Sequence, residues 1–173
     1  ALATALHGRN LTGTELSQDA SSLAVLEKGL ESPKPKEVLY CLKLLEEAES
    51  PNLNPHLLKL IENPHAEVRE GVYKTIERLA PEECFEPLKQ RLNVEEQVSV
   101  QVALIRAVGA TGTAEAFDII SPFLDDKRPN IQSSAIVALI RYCGIAGAAL
   151  GGYFLMGMAQ SIQAAERKFA ATT

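Results

Sequence analysis

The sequence predicts an all-α fold: a right-handed α-solenoid of antiparallel helix pairs, about four repeats with partial ends. Three observations predict it. A hydrophobic pair four residues apart, closed by a polar or acidic residue, recurs at Leu26/Leu30-Glu31, Leu57/Ile61-Glu62, Leu88/Leu92-Asn93 and Ile120/Leu124-Asp125, in steps of 31, 31 and 32 residues. A second apolar series lies between these pairs, at Val38/Leu42/Leu45, Val68/Val72/Ile76, Val100/Leu104/Val108 and Ala135/Leu139/Cys143. Two amphipathic helices per unit at a period of roughly 30–35 residues define a helical repeat. Third, the chain is 46% hydrophobic but has no Trp and only 5% aromatic residues. An aliphatic core of that kind suits helix-on-helix packing better than a β-sandwich.

The elements follow in order. Residues 1–18 are weakly patterned: Leu2 and Leu6 fit one helical turn, which Gly8 and Gly13 break. The repeat region is expected over 19–160. It opens with a helix carrying Leu23, Leu26 and Leu30 on one face, capped by Asp19 or Ser21. Pro33 and Pro35 end it and open the next unit, whose first helix is Glu37–Glu47 and whose second runs from about Pro55 to Ile61. After Pro64 comes a helix over Glu67–Leu79, a turn at Pro81 and a helix over Glu82–Leu92. The third unit has a helix over Glu95–Val108, a turn at Gly109–Thr113 and a helix over Ala114–Leu124. In that last helix Pro122 lies deep, where it should bend the helix or make it begin late. The fourth unit has a helix over Asn130–Cys143, a turn at Gly144 and a second helix ending near Gln160. Residues 161–173 read as the start of a further repeat or a C-terminal cap. Leu42, Leu57, Val72, Leu88, Leu104, Ile120 and Leu139 should all be buried in one stripe.

Composition narrows the function classes. The net charge is −5, and no Lys/Arg cluster or basic aromatic face occurs, which disfavours nucleic acid as a partner. The cysteines, Cys41, Cys84 and Cys143, are odd in number and lack CxxC spacing, so buried thiols in a reducing compartment are expected rather than a disulfide framework. His7, His56 and His65 are scattered, with no HExxH, and neither a metal nor another cofactor is expected. The stretch Tyr142–Ala159 carries no charge and contains Gly147-xxx-Gly151, a spacing also used in membrane helix pairs. Its five glycines dilute its hydrophobicity, and a buried last helix is the preferred reading over a span. The chain opens on Ala rather than Met, and a piece of a longer protein is expected.

Ala66-Glu-Val-Arg-Glu-Gly-Val-Tyr-Lys-Thr-Ile76, with the near-copies Ser99–Arg106 and Ser134–Arg141, resembles the helix-opening phrase of HEAT repeats. Leu26–Pro33, Glu37–Glu47 and Ala135–Gly144 are similar to the soluble HEAT-repeat region that follows the membrane domain in bacterial nucleotide transporters of the ATP:ADP antiporter type. That resemblance covers about residues 20–150. It implies a cytoplasmic module tethered to the inner membrane, with its own membrane transport domain or a protein as partner. No transport residue carries over, because the transport helices lie outside this chain.

Arg78, Arg106 and Arg141 occupy equivalent places in successive first helices. They are the candidate partner- or anion-binding ladder; the alternative is that each spans to a neighbouring repeat's carboxylate or carbonyl. Glu46-Glu47 with Glu49, and Glu82-Glu83, read as a solvated acidic rim rather than catalytic carboxylate pairs. Asp125-Asp126 follows a helix C-terminus, an unfavourable place for anions that Lys127-Arg128 can offset. No catalytic residue is assigned, and the expectation is a non-enzymatic interaction or regulatory module. The alternative is a HEAT-like lyase subunit resembling phycobilin-chromophore lyases, or a free-standing protein-binding scaffold. The apolar helix around Ala148–Met158 is expected to expose a patch through which the chain self-associates or binds amphiphiles.

Overall fold

The computed structural model describes the backbone of residues 20–172 and the side chains of residues 21–160. The weakly patterned residues 1–18 and the cap expected at Asp19 lie outside the described residues. The chain divides into two compact units at Thr75/Ile76. Among the described residues every regular element is helical.

The first unit holds α1 (Ala20–Gly29), α2 (Pro35–Glu47), α3 (Leu53–Leu60) and most of α4 (Ala66–Leu79). Pro35 opens α2, where its missing N–H would have had no helical partner anyway. Leu26, Val38, Leu42, Leu45, Leu57, Val68 and Val72 are all buried. Tyr73 is fully buried as well, and its hydroxyl is satisfied by donating to the Ile61 carbonyl at 3.0 Å. A Cβ at Gly71 would run into the Leu39 side chain, so glycine sets how closely α4 approaches α2.

The second unit continues through the end of α4, a 3-10 turn at Glu82–Cys84, α5 (Phe85–Leu92), α6 (Val98–Ala110), α7 (Ala116–Ile120), a second 3-10 turn at Ser121–Asp125, α8 (Pro129–Tyr142) and α9 (Gly144–Thr172). α6 is the central helix: α5, α7 and α8 all lie against it. Val100, Ala103, Leu104, Ile105, Ala107 and Val108 are buried on nearly every side of it, as a surrounded helix requires. Ser134 Oγ of α8 donates to the Val102 carbonyl at 2.8 Å, tying the two helices together by a polar bond inside apolar packing. All seven residues of the expected stripe are buried.

Several boundaries differ from expectation for local reasons. α6 starts at Val98 rather than Glu95, because the Glu95 carboxylate turns back to accept the Gln97 N–H at 3.3 Å. The helix expected over Glu82–Leu92 is a 3-10 turn followed by α5. Pro122 acts as anticipated: α7 gives up α geometry at Ile120, and Ser121–Asp125 continues as a tighter turn. The break expected near Gln160 is absent. α9 runs unbroken for 29 residues against the 14 of α8, because nothing between Gly157 and Thr172 is a proline or a helix-ending glycine.

A repeated turn links the units of the pattern. Ser32, Asn63, Glu95 and Asp126 stand 31, 32 and 31 residues apart. Each accepts, through its side-chain oxygen, the backbone N–H two residues on: Lys34 at 3.2 Å, His65 at 3.0 Å, Gln97 at 3.3 Å and Arg128 at 2.8 Å. These turns stand immediately ahead of α2, α4, α6 and α8, satisfying an N–H just before a helix where Asx- and Ser/Thr-turns are favoured.

Candidate functional site

α8 ends in Arg141-Tyr142, and these two side chains organise a polar cluster in the second unit. The Tyr142 ring lies over α6 at Gly109. A Cβ there would come within 3.1 Å of Tyr142 Cδ2 and within 3.3 Å of both Ala138 and Ile120, so the glycine makes room for the ring. Held in this way, the Tyr142 hydroxyl donates to Glu77 Oε1 at 2.9 Å, joining the last turn of α8 to the last turn of α4. Arg141 NH1 stands 3.5 Å from the same carboxylate oxygen, and its guanidinium carbon lies 5.1 Å from the Tyr142 ring centre. Arg106 of α6 is half-buried, its charge acts on the Tyr142 hydroxyl, and its Nε is buried without a hydrogen-bond partner.

Electrostatics fix the phenol as a proton donor. Burial pushes the Tyr142 pKa up, and the hydrogen bond and charge of Glu77 push the same way, while Arg141 and Arg106 oppose them. The cluster therefore holds one carboxylate and one neutral hydroxyl, with two guanidiniums whose charge acts on that hydroxyl.

Of the three arginines singled out from the sequence, Arg141 meets Glu77 and the Tyr142 ring, and the charge of Arg106 reaches the Tyr142 hydroxyl. Arg78 is exposed in the last turn of α4, next in sequence to Glu77. Glu77 and Tyr142 were missed. Tyr142 stands beside a selected arginine and was visible as a polar aromatic in an apolar stretch. Glu77 had no signal, because its partner is 65 residues away.

A second concave feature lies along α9, a cleft of about 680 Å³ lined by Gln132, Tyr153, Phe154, Met156, Gly157, Met158 and Gln160. Its volume is in the range of small-molecule sites. Tyr153 and Phe154 meet edge to face with centroids 5.8 Å apart, and Gln132 is held in place by donating to the Leu124 carbonyl at 2.7 Å.

The remaining polar groups serve local structure. Glu46 accepts the Thr75 hydroxyl at 3.1 Å, while Glu47, Glu49, Glu82 and Glu83 are exposed. The Arg128 guanidinium grips Asp126 at 2.9 and 2.7 Å, which with the backbone bond holds the Asp126 pKa down to about 2. Asp126 thus belongs to the N-terminal side of α8, where an anion is welcome, rather than to the C-terminus before it. Cys41 and Cys84 are buried and Cys143 is half-buried, all as free thiols. Burial pushes Cys84 up to about 11. Among the described residues no three His, Cys, Asp or Glu side chains gather as a metal ligand set.

No family model matches the chain, and no curated protein matches it. A solved structure does: a chain of the complex of CpcE and CpcF of phycocyanin lyase from Nostoc sp. PCC7120, at 21% identity and a TM-score of 0.60 over 74% of this chain. The match spans 56% of that chain, so this protein corresponds to about half of its length. At that identity the likeness establishes the fold: an all-α solenoid of HEAT-like helix pairs. It also corrects one expectation. The expectation of a non-enzymatic module does not hold against this match, since the same fold occurs in a phycocyanin lyase complex and so gives no ground for excluding an enzyme.

Proposed function

We propose that the chain is a HEAT-like subunit of a lyase of the phycobilin-chromophore type, working with a second protein subunit. The observation that carries this reading is the structural match to the two-subunit phycocyanin lyase over 74% of the chain. The cleft along α9 supports it, offering apolar and aromatic surface, as a large amphiphilic chromophore would need. The antiporter resemblance draws no comparable support, and among the described residues no helix is long and apolar enough to cross a membrane.

The test is chromophore transfer. The chain is combined in turn with CpcE and with CpcF of the Nostoc enzyme, apo-phycocyanin and a phycobilin, and covalently bound chromophore is followed by absorbance of the denatured protein. Attachment or removal faster than in the absence of the chain, in either combination, supports the reading. No change in rate in both combinations overturns it.

A further inference from the structure

We propose that the outward face of α9 pairs with the same face of a second copy of this chain, antiparallel about a two-fold axis beside Tyr153. The contact is separate from the lyase reading above and does not rest on it.

Exposure is the first argument. Ile145, Tyr153 and Met156, at 91%, 74% and 65%, are the three most exposed large apolar side chains among the described residues. Gly147 and Gly151 lie against α8. At about 3.6 residues per turn, Ile145, Ala149, Gly152, Tyr153 and Met156 project from the other side of the helix. Charge names the occupant. Charged residues make up 23% of the chain, and each of α1 to α8 carries at least one, yet none falls between Tyr142 and Ala165. A charged surface laid on this face would lose its water and find nothing to pair with. Among the described residues, the uncharged apolar helix face that matches it is the face itself. Shape is the third argument. Two-fold pairing sets a patch against itself, so large positions must meet small ones. With the axis between Gly152 and Tyr153, each Tyr153 lies over the other copy's Gly152 and each Met156 over its Ala149. A Cβ at Gly152 would meet nothing within 4 Å, so the space that the tyrosine needs is open. Tyr153 and Met156 also border the cleft along α9, so pairing competes with a cleft ligand for both. The face is one helix wide, which makes the dimer reversible and dependent on concentration.

Sedimentation equilibrium of the whole chain, from about 1 μM to about 1 mM and without chromophore, tests the contact. The average mass should rise from 18.7 kDa toward twice that value and no further. Higher salt should strengthen pairing, because it screens the repulsion between two copies of net charge −5. Tyr153→Glu sets two carboxylates against each other beside the axis, and should weaken the dimer at least about tenfold. Tyr153→Lys should do the same with two ammonium groups. An equal mixture of the two variants should pair more tightly than either alone, since unlike charges then meet. Both substitutions fall at open surface, and unchanged unfolding midpoints show that the variants remain folded. Where either fails to fold, Met156→Glu carries the same expected loss. A strict monomer at the highest concentration, growth past the dimer, or pairing that weakens with salt overturns the proposal. So does a folded Tyr153→Glu or Met156→Glu chain that pairs as tightly as the unsubstituted one, or a mixture no tighter than its components. Chromophore transfer is measured separately, so each of these outcomes leaves the lyase-subunit reading standing.

Discussion

Glu49 and Ala80 take the left-handed conformation, at φ 49° and 51°, just past the ends of α2 and α4. Glycine is usual there, because a Cβ in this region crowds the following carbonyl. The Ala80 N–H still closes α4 by donating to the Ile76 carbonyl at 2.8 Å. The left-handed penalty of about 1–2 kcal/mol exceeds the extra entropy glycine loses on folding, about 0.5–1 kcal/mol. Ala80→Gly is therefore expected to stabilise the fold by about 0.5–1 kcal/mol, seen as a higher urea midpoint at unchanged slope. Asp126 gives a pH-dependent case. Its carboxyl is held at about 2, below the ordinary 3.8, chiefly by the Arg128 side chain. A depressed carboxylate contributes stability at neutral pH and loses it as pH falls through the folded value. Asp126→Ala should lower the denaturation midpoint at pH 7, and the gap from the unsubstituted chain should close between pH of about 4 and about 2.

At the scale of elements, the α8–α9 pair depends on two glycines. A Cβ at Gly147 would collide with the Leu139 carbonyl and lie 2.5 Å from Cys143 Cβ; one at Gly151 would lie 2.8 Å from Ile140 and 3.1 Å from the Ile136 carbonyl. Backbone carbonyls do not move aside as flexible side chains do. Gly147→Ala should therefore cost about 1–3 kcal/mol despite alanine's better helix propensity, and urea unfolding measures it. Leu104, fully buried in α6, gives the complementary test: Leu104→Ala should cost about 2–5 kcal/mol by leaving a cavity in the centre of the second unit. Most helices were legible because their signals are local. Pro35 and Pro129 open α2 and α8, Gly144 reverses the chain at φ 63°, and Pro122 ends α geometry near Ile120. The late start of α6 was not, since Glu95 reads as a good helix residue until its side chain is seen bonding the Gln97 N–H.

At the scale of the molecule, α9 keeps its glycine face for α8 and turns Ile145, Tyr153, Leu155 and Met156 outward. Large apolar side chains exposed on one helix give it an apolar surface. A hydrophobic dye should bind the native chain. Replacing Tyr153 and Met156, 74% and 65% exposed, by Glu should reduce the dye signal while moving the unfolding midpoint little, since substitutions at open surface usually shift stability by no more than about 0.5 kcal/mol. Dye fluorescence and thermal unfolding on the same samples check both halves of this expectation.

The amino-acid sequence by itself determined the helical repeat, its period near 31 residues, the aliphatic core and most helix ends, because periodicity, proline and glycine act over a few residues. The turn residues Ser32, Asn63, Glu95 and Asp126 were equally local but differ in type, so their common role showed only in their shared bond to the N–H two residues on. Only the tertiary structure decided the polar cluster. Glu77, Gly109 and Tyr142 lie on three helices, and nothing in the neighbourhood of any one of them announces the other two. Enzyme or scaffold was likewise beyond the pattern, since hydrophobic spacing encodes which faces are buried, while chemistry depends on which polar side chains the packed helices bring within a few ångströms of one another.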